Sequence, residues 1–212
     1  MNYGEIKKIA QSYTDRYDQE LVAAIPAFTK IVEGKINNAL RTGDQAVRAQ
    51  IWLLRDEEYY GLPDDWGGAR DVEILPAGQR TGGRTLTYLS PEEMNKLSRS
   101  PGRPQPRHNY YTIIANQIQV APPTDNEVLE IVYYQRLPAL VNDIDSNWLS
   151  VKNPDAYVFG LCAEIGAFAK DEAAFMAYDG RFKEALANVT QEDQITRWSG
   201  PAHRVQYDGL VV

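Results

Sequence analysis

Residues 147–190 read NWLSVKNPDAYVFGLCAEIGAFAKDEAAFMAYDGRFKEALANVT, and the reading of this stretch decides the fold. Asn153-Pro154-Asp155 predicts a helix start. Asn can cap, proline suits the first helical position, and an early acid complements the helix dipole. Val158, Leu161, Ile165 and Phe168 then recur at helical spacing as one apolar stripe. A second stripe, Phe175, Tyr178, Phe182, Leu186 and Val189, follows the Lys170-Asp171 step. One bent helix and two separate helices fit this pattern equally well.

Working outward, Asn2 and Glu5 have capping-box spacing ahead of Ile6, Ile9, Ala10, Tyr13 and Tyr17. A second helix is expected from Asp18, with the stripe Leu21, Ile25, Phe28, Val32, Ile36 and Leu40. Pro26 lies inside it and predicts a kink or a fresh start. Thr42-Gly43-Asp44 ends it.

Beyond Ala46 the period changes. Strands are expected over 49–54, 70–75, 84–89 and 127–136, with turns at 62–66 and 77–83. A hairpin is expected from 109–114 and 117–120 across Ala115-Asn116. Ser90-Pro91-Glu92-Glu93 opens a short helix ending near Leu97. The run 98–108, SRSPGRPQPRH, has three prolines and four basic residues and reads as a loop.

Helices, then mainly antiparallel strands, then helices again indicate an α+β fold. The expectation is a bundle of N- and C-terminal amphipathic helices with an inserted β lobe. Its parts are 1–45, N-terminal helices; 46–146, the β-rich lobe; 147–194, C-terminal helices; and 195–212, an extension.

With 212 residues and 43% hydrophobic content, the chain is long enough to bury a real core. No apolar run reaches bilayer length and no secretory pattern opens the chain, so a protein of the cytoplasm without a membrane is expected. The single cysteine, Cys162, excludes an internal disulfide and a cysteine-built metal site. A net charge of -7 argues against ordinary duplex binding, which needs phosphate neutralisation. Thirteen tyrosines and four tryptophans suit protein interfaces as well as cores.

Catalytic chemistry finds little support. Cys162 with His108 or His203 would be a nucleophile pair, yet Cys162 stands mid-helix beside Leu161 and Ile165, where an inert core thiol is expected. No histidine sits at metal-ligand spacing with a carboxylate. The glycine-rich 78–84 run lacks the lysine and serine of a phosphate loop and joins strands. Asp64, Asp65 and Asp71 fit turn positions. No enzyme, cofactor or metal is expected.

Several residues together carry a family resemblance. They are Asn147-Trp148-Leu149, Pro154-Asp155-Ala156-Tyr157, Gly160, Asp171 and Tyr178, with Ile25-Pro26-Ala27-Phe28 and Glu33 early on and Leu62-Pro63-Asp64-Asp65-Trp66 between. In order and spacing they resemble the adaptor proteins of tailed phages, also called head-to-tail connector or head-completion proteins and found in short-tailed phages. That resemblance implies a virion structural protein, assembled in the host cytoplasm as a dodecameric ring beneath the portal protein. It would extend the DNA channel, with DNA passing through without specific binding, and carry the tail (nozzle or tail-tube) protein. Expected contacts with the tail or a neighbouring subunit are Arg99, Arg103 and Arg107. Expected portal contacts are Val205, Tyr207, Leu210, Val211 and Val212 of the C-terminal extension. The contrasting expectation is a free-standing cytoplasmic interaction or ligand-binding domain with no virion role.

Overall fold

The structure, a computed structural model, describes residues 1–79, 81–99, 109–122 and 124–198. The fold is α+β, with helices at both ends of the chain flanking a β lobe. The described residues divide into two compact units, Met1–Asp44 with residues 137–198, and those within Gln45–Arg136.

The helical unit contains α1 (Tyr3–Thr14), α2 (Gln19–Ala39), α4 (Trp148–Lys152), α5 (Pro154–Phe168) and α6 (Glu172–Trp198). The first two start where their caps predict. Asn2 and Glu5 close a reciprocal capping box, and the Asp18 carboxylate accepts from the Leu21 N–H. Leu21, Ile25, Val32, Ile36 and Leu40 are fully buried, each contributing about 1.5–3 kcal/mol of transfer free energy. Pro26 neither breaks nor restarts α2, which runs unbroken through it. Pro26 and Val22, whose carbonyl loses its usual N–H partner, are both exposed residues, on the side of the helix where water is at hand.

Helix α5 corrects the expected single stripe. Ala156, Tyr157, Val158, Gly160, Leu161, Cys162, Ala163, Ile165 and Gly166 are all buried. A helix buried over most of its circumference, with Phe159 and Glu164 half-buried, is a central one, and α1, α2, α4 and α6 all pack on it. Phe168, assigned to the stripe, is instead exposed at the helix end. Gly160 permits the closest approach: a Cβ there would lie 2.7 Å from Val32 Cγ1 and 3.2 Å from the Phe182 ring.

The open choice between one bent helix and two resolves as two. Lys170 takes a left-handed φ of 57°, and Asp171 caps the next helix by accepting from the Ala174 N–H at 3.0 Å. At the other end of α5, Asn153 occupies the cap position without capping. Its side chain reaches Glu192 on α6 at 3.3 Å, while Pro154 still supplies the favoured first residue.

The lobe holds β1 (Ala46–Leu53), β2 (Tyr59–Gly61), β3 (Trp66–Pro76), β4 (Arg84–Thr85), β5 (Thr87–Tyr88), α3 (Pro91–Arg99), β6 (Tyr110–Ile114), β7 (Gln117–Ala121) and β8 (Glu127–Gln135). One sheet has the order β1-β8-β3-β4 and the other β2-β7-β6-β5; all pairings are antiparallel except β5 with β6. Both sheets contribute to one core around Ile74, Ile118, Leu129 and Ile131.

The strand expected over 84–89 is divided between the sheets. Leu86 turns into the core and donates its N–H to the Val72 carbonyl, so β4 joins one sheet and β5 the other. Ser90 and Glu93 form the expected box at the start of α3. That helix continues through Ser98 and Arg99, residues assigned to the loop.

Candidate assembly surfaces

The residues that carry the family resemblance converge inside the subunit. Asn147 caps α4 by accepting from the Ser150 N–H at 2.9 Å, and the Ser150 hydroxyl answers from the Asn147 N–H. Asn147 Nδ2 donates to the Tyr157 hydroxyl at 2.8 Å and to the Pro138 carbonyl at 2.9 Å. Tyr157 lies against Glu33, whose carboxylate accepts from the Leu140 N–H at 2.8 Å.

Burial pushes the Glu33 carboxyl above its ordinary range, although the Leu140 N–H and the Tyr157 hydroxyl favour the charged form. Burial likewise raises the Tyr157 phenol. A carboxylate, a phenol and an amide from three distant motifs thus satisfy one another in the interior, as buried polar groups must.

This network ties down residues 137–146. They were expected in the β lobe, yet Leu137 and Leu140 belong to the helical core. Asn37 Oδ1 accepts from the Leu137 N–H, and the carbonyls of Asp143 and Asp145 accept the first N–H groups of α1. The Asp145 carboxylate accepts from the N–H groups of Asn142 and Val141, which hold its pKa below the usual range. The outcome is a strap that presents Val141 and Ile144, 70% and 84% exposed, on a hydrogen-bonded turn.

In the lobe, the Asp65 carboxylate accepts from the Tyr133 hydroxyl at 2.8 Å and from Gln135 Nε2 at 2.6 Å. Trp66 stacks on Tyr133 with ring centroids 5.2 Å apart. Burial first, then Asp65, pushes the Tyr133 phenol up to about 12. The aspartate considered as a chemical group is a structural clamp on the end of β8.

Outward-facing apolar side chains gather in two other places. On the helical unit, Tyr13 and Phe159 lie 6.2 Å apart with the Arg181 guanidinium 5.5 Å over Phe159. Beside them in the chain, Arg16 stands over Phe168, which contacts Phe28. On the lobe, Trp52, Leu54 and Tyr59 are exposed around the turn that joins β1 to β2. Aromatic and arginine side chains of this kind anchor protein interfaces. Sequence reasoning assigned none of these three surfaces; the tyrosine and tryptophan count suited interfaces and cores alike and pointed to no position.

Where α6 ends, a cleft of about 260 Å³ is lined by Trp148, Val189 and charged residues. Lys152 pairs with Asp44 at 2.7 Å, and Asp193 pairs with Arg197 while accepting from the Gly43 N–H. Asp193 thus holds the end of α6, and Lys152 the end of α4, to the chain leaving α2. The expected portal contacts Val205, Tyr207, Leu210, Val211 and Val212 lie outside the described residues. Arg103 and Arg107 lie outside them too, as do His108 and His203. Arg99 is the last residue of α3.

Cys162 is fully buried, its sulfur 3.8 Å from the Ala10 carbonyl, and burial pushes the thiol up to about 12. A thiol so held is protonated at neutral pH and is no nucleophile. Among the described residues, no group of His, Cys, Asp and Glu could hold a metal ion, and no helix is long and apolar enough to cross a membrane.

No curated relative matches the chain in sequence. A family model described as SU10 adaptor protein matches residues 1–205. That match spans both units and takes in the motif residues of both interior clamps. The chain therefore belongs to the SU10 adaptor protein family, and its role is that of a structural adaptor protein of a bacteriophage.

Proposed function

We propose that the protein is the subunit of an adaptor ring that joins the portal vertex of the capsid to the tail and extends the DNA channel. The observation that carries this reading is the family match over residues 1–205, which covers nearly the whole chain. The exposed aromatic, arginine and aliphatic groups on both units support it, since a ring subunit needs two different contact surfaces. The net charge of -7 supports a channel through which DNA slides without being held, because like charges repel the phosphate backbone.

In this reading the partners are the portal protein, the tail (nozzle or tail-tube) protein and further copies of the chain. The segment 199–212 attaches to the portal through Val205, Tyr207, Leu210, Val211 and Val212. Arg99, Arg103 and Arg107 pair with acids of the tail protein or a neighbouring subunit. The role is structural, without catalysis or cofactor, and its place is the virion.

Native mass spectrometry of the full chain, alone and with the portal protein of the same phage, tests it. The expected result is a closed oligomer bound to portal, with a copy number matching the ring. A chain that stays monomeric and ignores the portal would instead favour a free-standing interaction domain.

A further inference from the structure

The turn between β1 and β2 is built like a docking element. Tyr60 is buried beneath it, and its hydroxyl accepts from the Leu54 N–H at 2.9 Å and donates to the Glu57 carbonyl at 3.0 Å. The Val120 N–H holds the Glu58 carbonyl, and Gln119 Nε2 holds the Glu58 side chain. A turn fixed in this way loses little conformational freedom on binding. What it presents is mixed: exposed Trp52, Leu54 and Tyr59 around the exposed carboxylates of Asp56 and Glu57. None of the ion pairs among the described residues involves either carboxylate, and the exposed Arg55 beside them lies 4.0 Å from Asp125, outside the turn.

The Tyr13–Phe159 face has the opposite character. Arg181 is exposed over the Phe159 ring and has no carboxylate partner among the described residues. Tyr178 donates its hydroxyl to the Tyr13 carbonyl, which fixes the aromatic floor of the face. One surface therefore offers apolar groups with spare negative charge, and the other offers apolar groups with spare positive charge.

We propose that the turn 54–58 of one copy seats on the Tyr13, Phe159 and Arg181 face of a second copy of this chain, with Asp56 and Glu57 meeting Arg181. This deepens the ring reading and rests on it. The contact is heterologous, joining two different patches, the kind of contact that builds a ring when the rotation between neighbours closes. Charge complementarity selects the register, while Trp52 and Leu54 supply the apolar area.

The test compares the full chain with Asp56→Arg/Glu57→Arg, with Arg181→Glu and with all three changes together. Self-association is followed by sedimentation and native mass spectrometry, with and without portal. Thermal melts establish that each variant is folded. Each set of reversals should weaken self-association by about tenfold or more, and the combination should recover most of the loss. The milder Asp56→Asn/Glu57→Gln variant, which keeps shape, should weaken it less and reduce its salt dependence.

Wild-type association by both reversed variants would overturn the pairing and leave the ring reading standing. So would a combination that is no better than its parts. Reversals at the turn that spare self-association but lose portal or tail would give the turn to that partner and overturn the pairing. If the unaltered chain forms no oligomer even with portal present, the ring reading itself fails and this contact fails with it.

Discussion

Asn147 donates from Nδ2 to the hydroxyl of Tyr157 at 2.8 Å, joining the cap of α4 to the first turns of α5 in the buried interior. Through Glu33 and the Leu140 N–H, this pair couples α2 to the strap 137–146. The motif residues therefore act on the frame that displays the surface.

Tyr157→Phe keeps the ring and removes the hydroxyl. The change withdraws one of the Asn147 partners and the Glu33 partner inside a sealed site. It should cost about 1–3 kcal/mol, the usual penalty for buried groups left without a partner. Urea unfolding with an unchanged slope and a lower midpoint is the expected result. An unchanged midpoint would show that water replaces the hydroxyl without loss.

The raised pKa of Glu33 makes a second prediction with a definite sign. A carboxyl whose folded pKa exceeds its ordinary value of 4.5 binds more protons folded than unfolded between the two values. Its contribution to stability is full below 4.5 and is lost as pH rises through the folded pKa. Glu33→Gln removes that dependence. The stability of the variant relative to wild type should therefore shift in favour of Gln as pH rises from about 4 to 7, measured by urea unfolding at each pH. A difference that stays constant with pH would mean that Glu33 titrates normally.

Two helical glycines make a matched pair. At Gly160 an added methyl would meet Val32 and Phe182, at 2.7 Å and 3.2 Å. Gly160→Ala should destabilise by about 1–3 kcal/mol through overpacking, more than the roughly 1 kcal/mol that helix propensity returns. At Gly180, within α6, nothing lies within 4 Å of the same atom. Gly180→Ala should stabilise by about 0.5–1 kcal/mol. Thermal melts moving in opposite directions for the two variants are the expected observation.

Truncation after Gly200 should leave a folded protein that no longer binds portal. Burial of aliphatic side chains from the removed segment would contribute about 1.5–3 kcal/mol each, less the cost of ordering the segment. Portal pull-down with a melting curve measures both halves of the claim. Normal docking by the truncated chain would assign attachment to the described helices.

Local chemistry in the sequence determined where most elements begin. Asn2 with Glu5, Asp18 and Ser90 with Glu93 cap helices that start where those residues stand. Ala115-Asn116 turns the hairpin of β6 and β7, and alternation over 127–136 marks β8. Such signals act over about four residues, within reach of a side chain and its own backbone, so they survive without knowledge of any partner.

Tertiary structure alone decided which of those elements became central and what the motif residues do. Helix α5 reads as having one stripe but is buried over most of its circumference, because four other helices pack on it. Asn153 reads as a cap, yet its amide reaches Glu192, 39 residues away. Leu86 divides an apparent strand because the core lies on its side of both sheets. Glu33 meets the Leu140 N–H across 107 residues of sequence, and no local pattern encodes that meeting. Burial and charge pairing depend on what the folded chain brings alongside, and that is set by packing of distant segments rather than by the spacing of near ones.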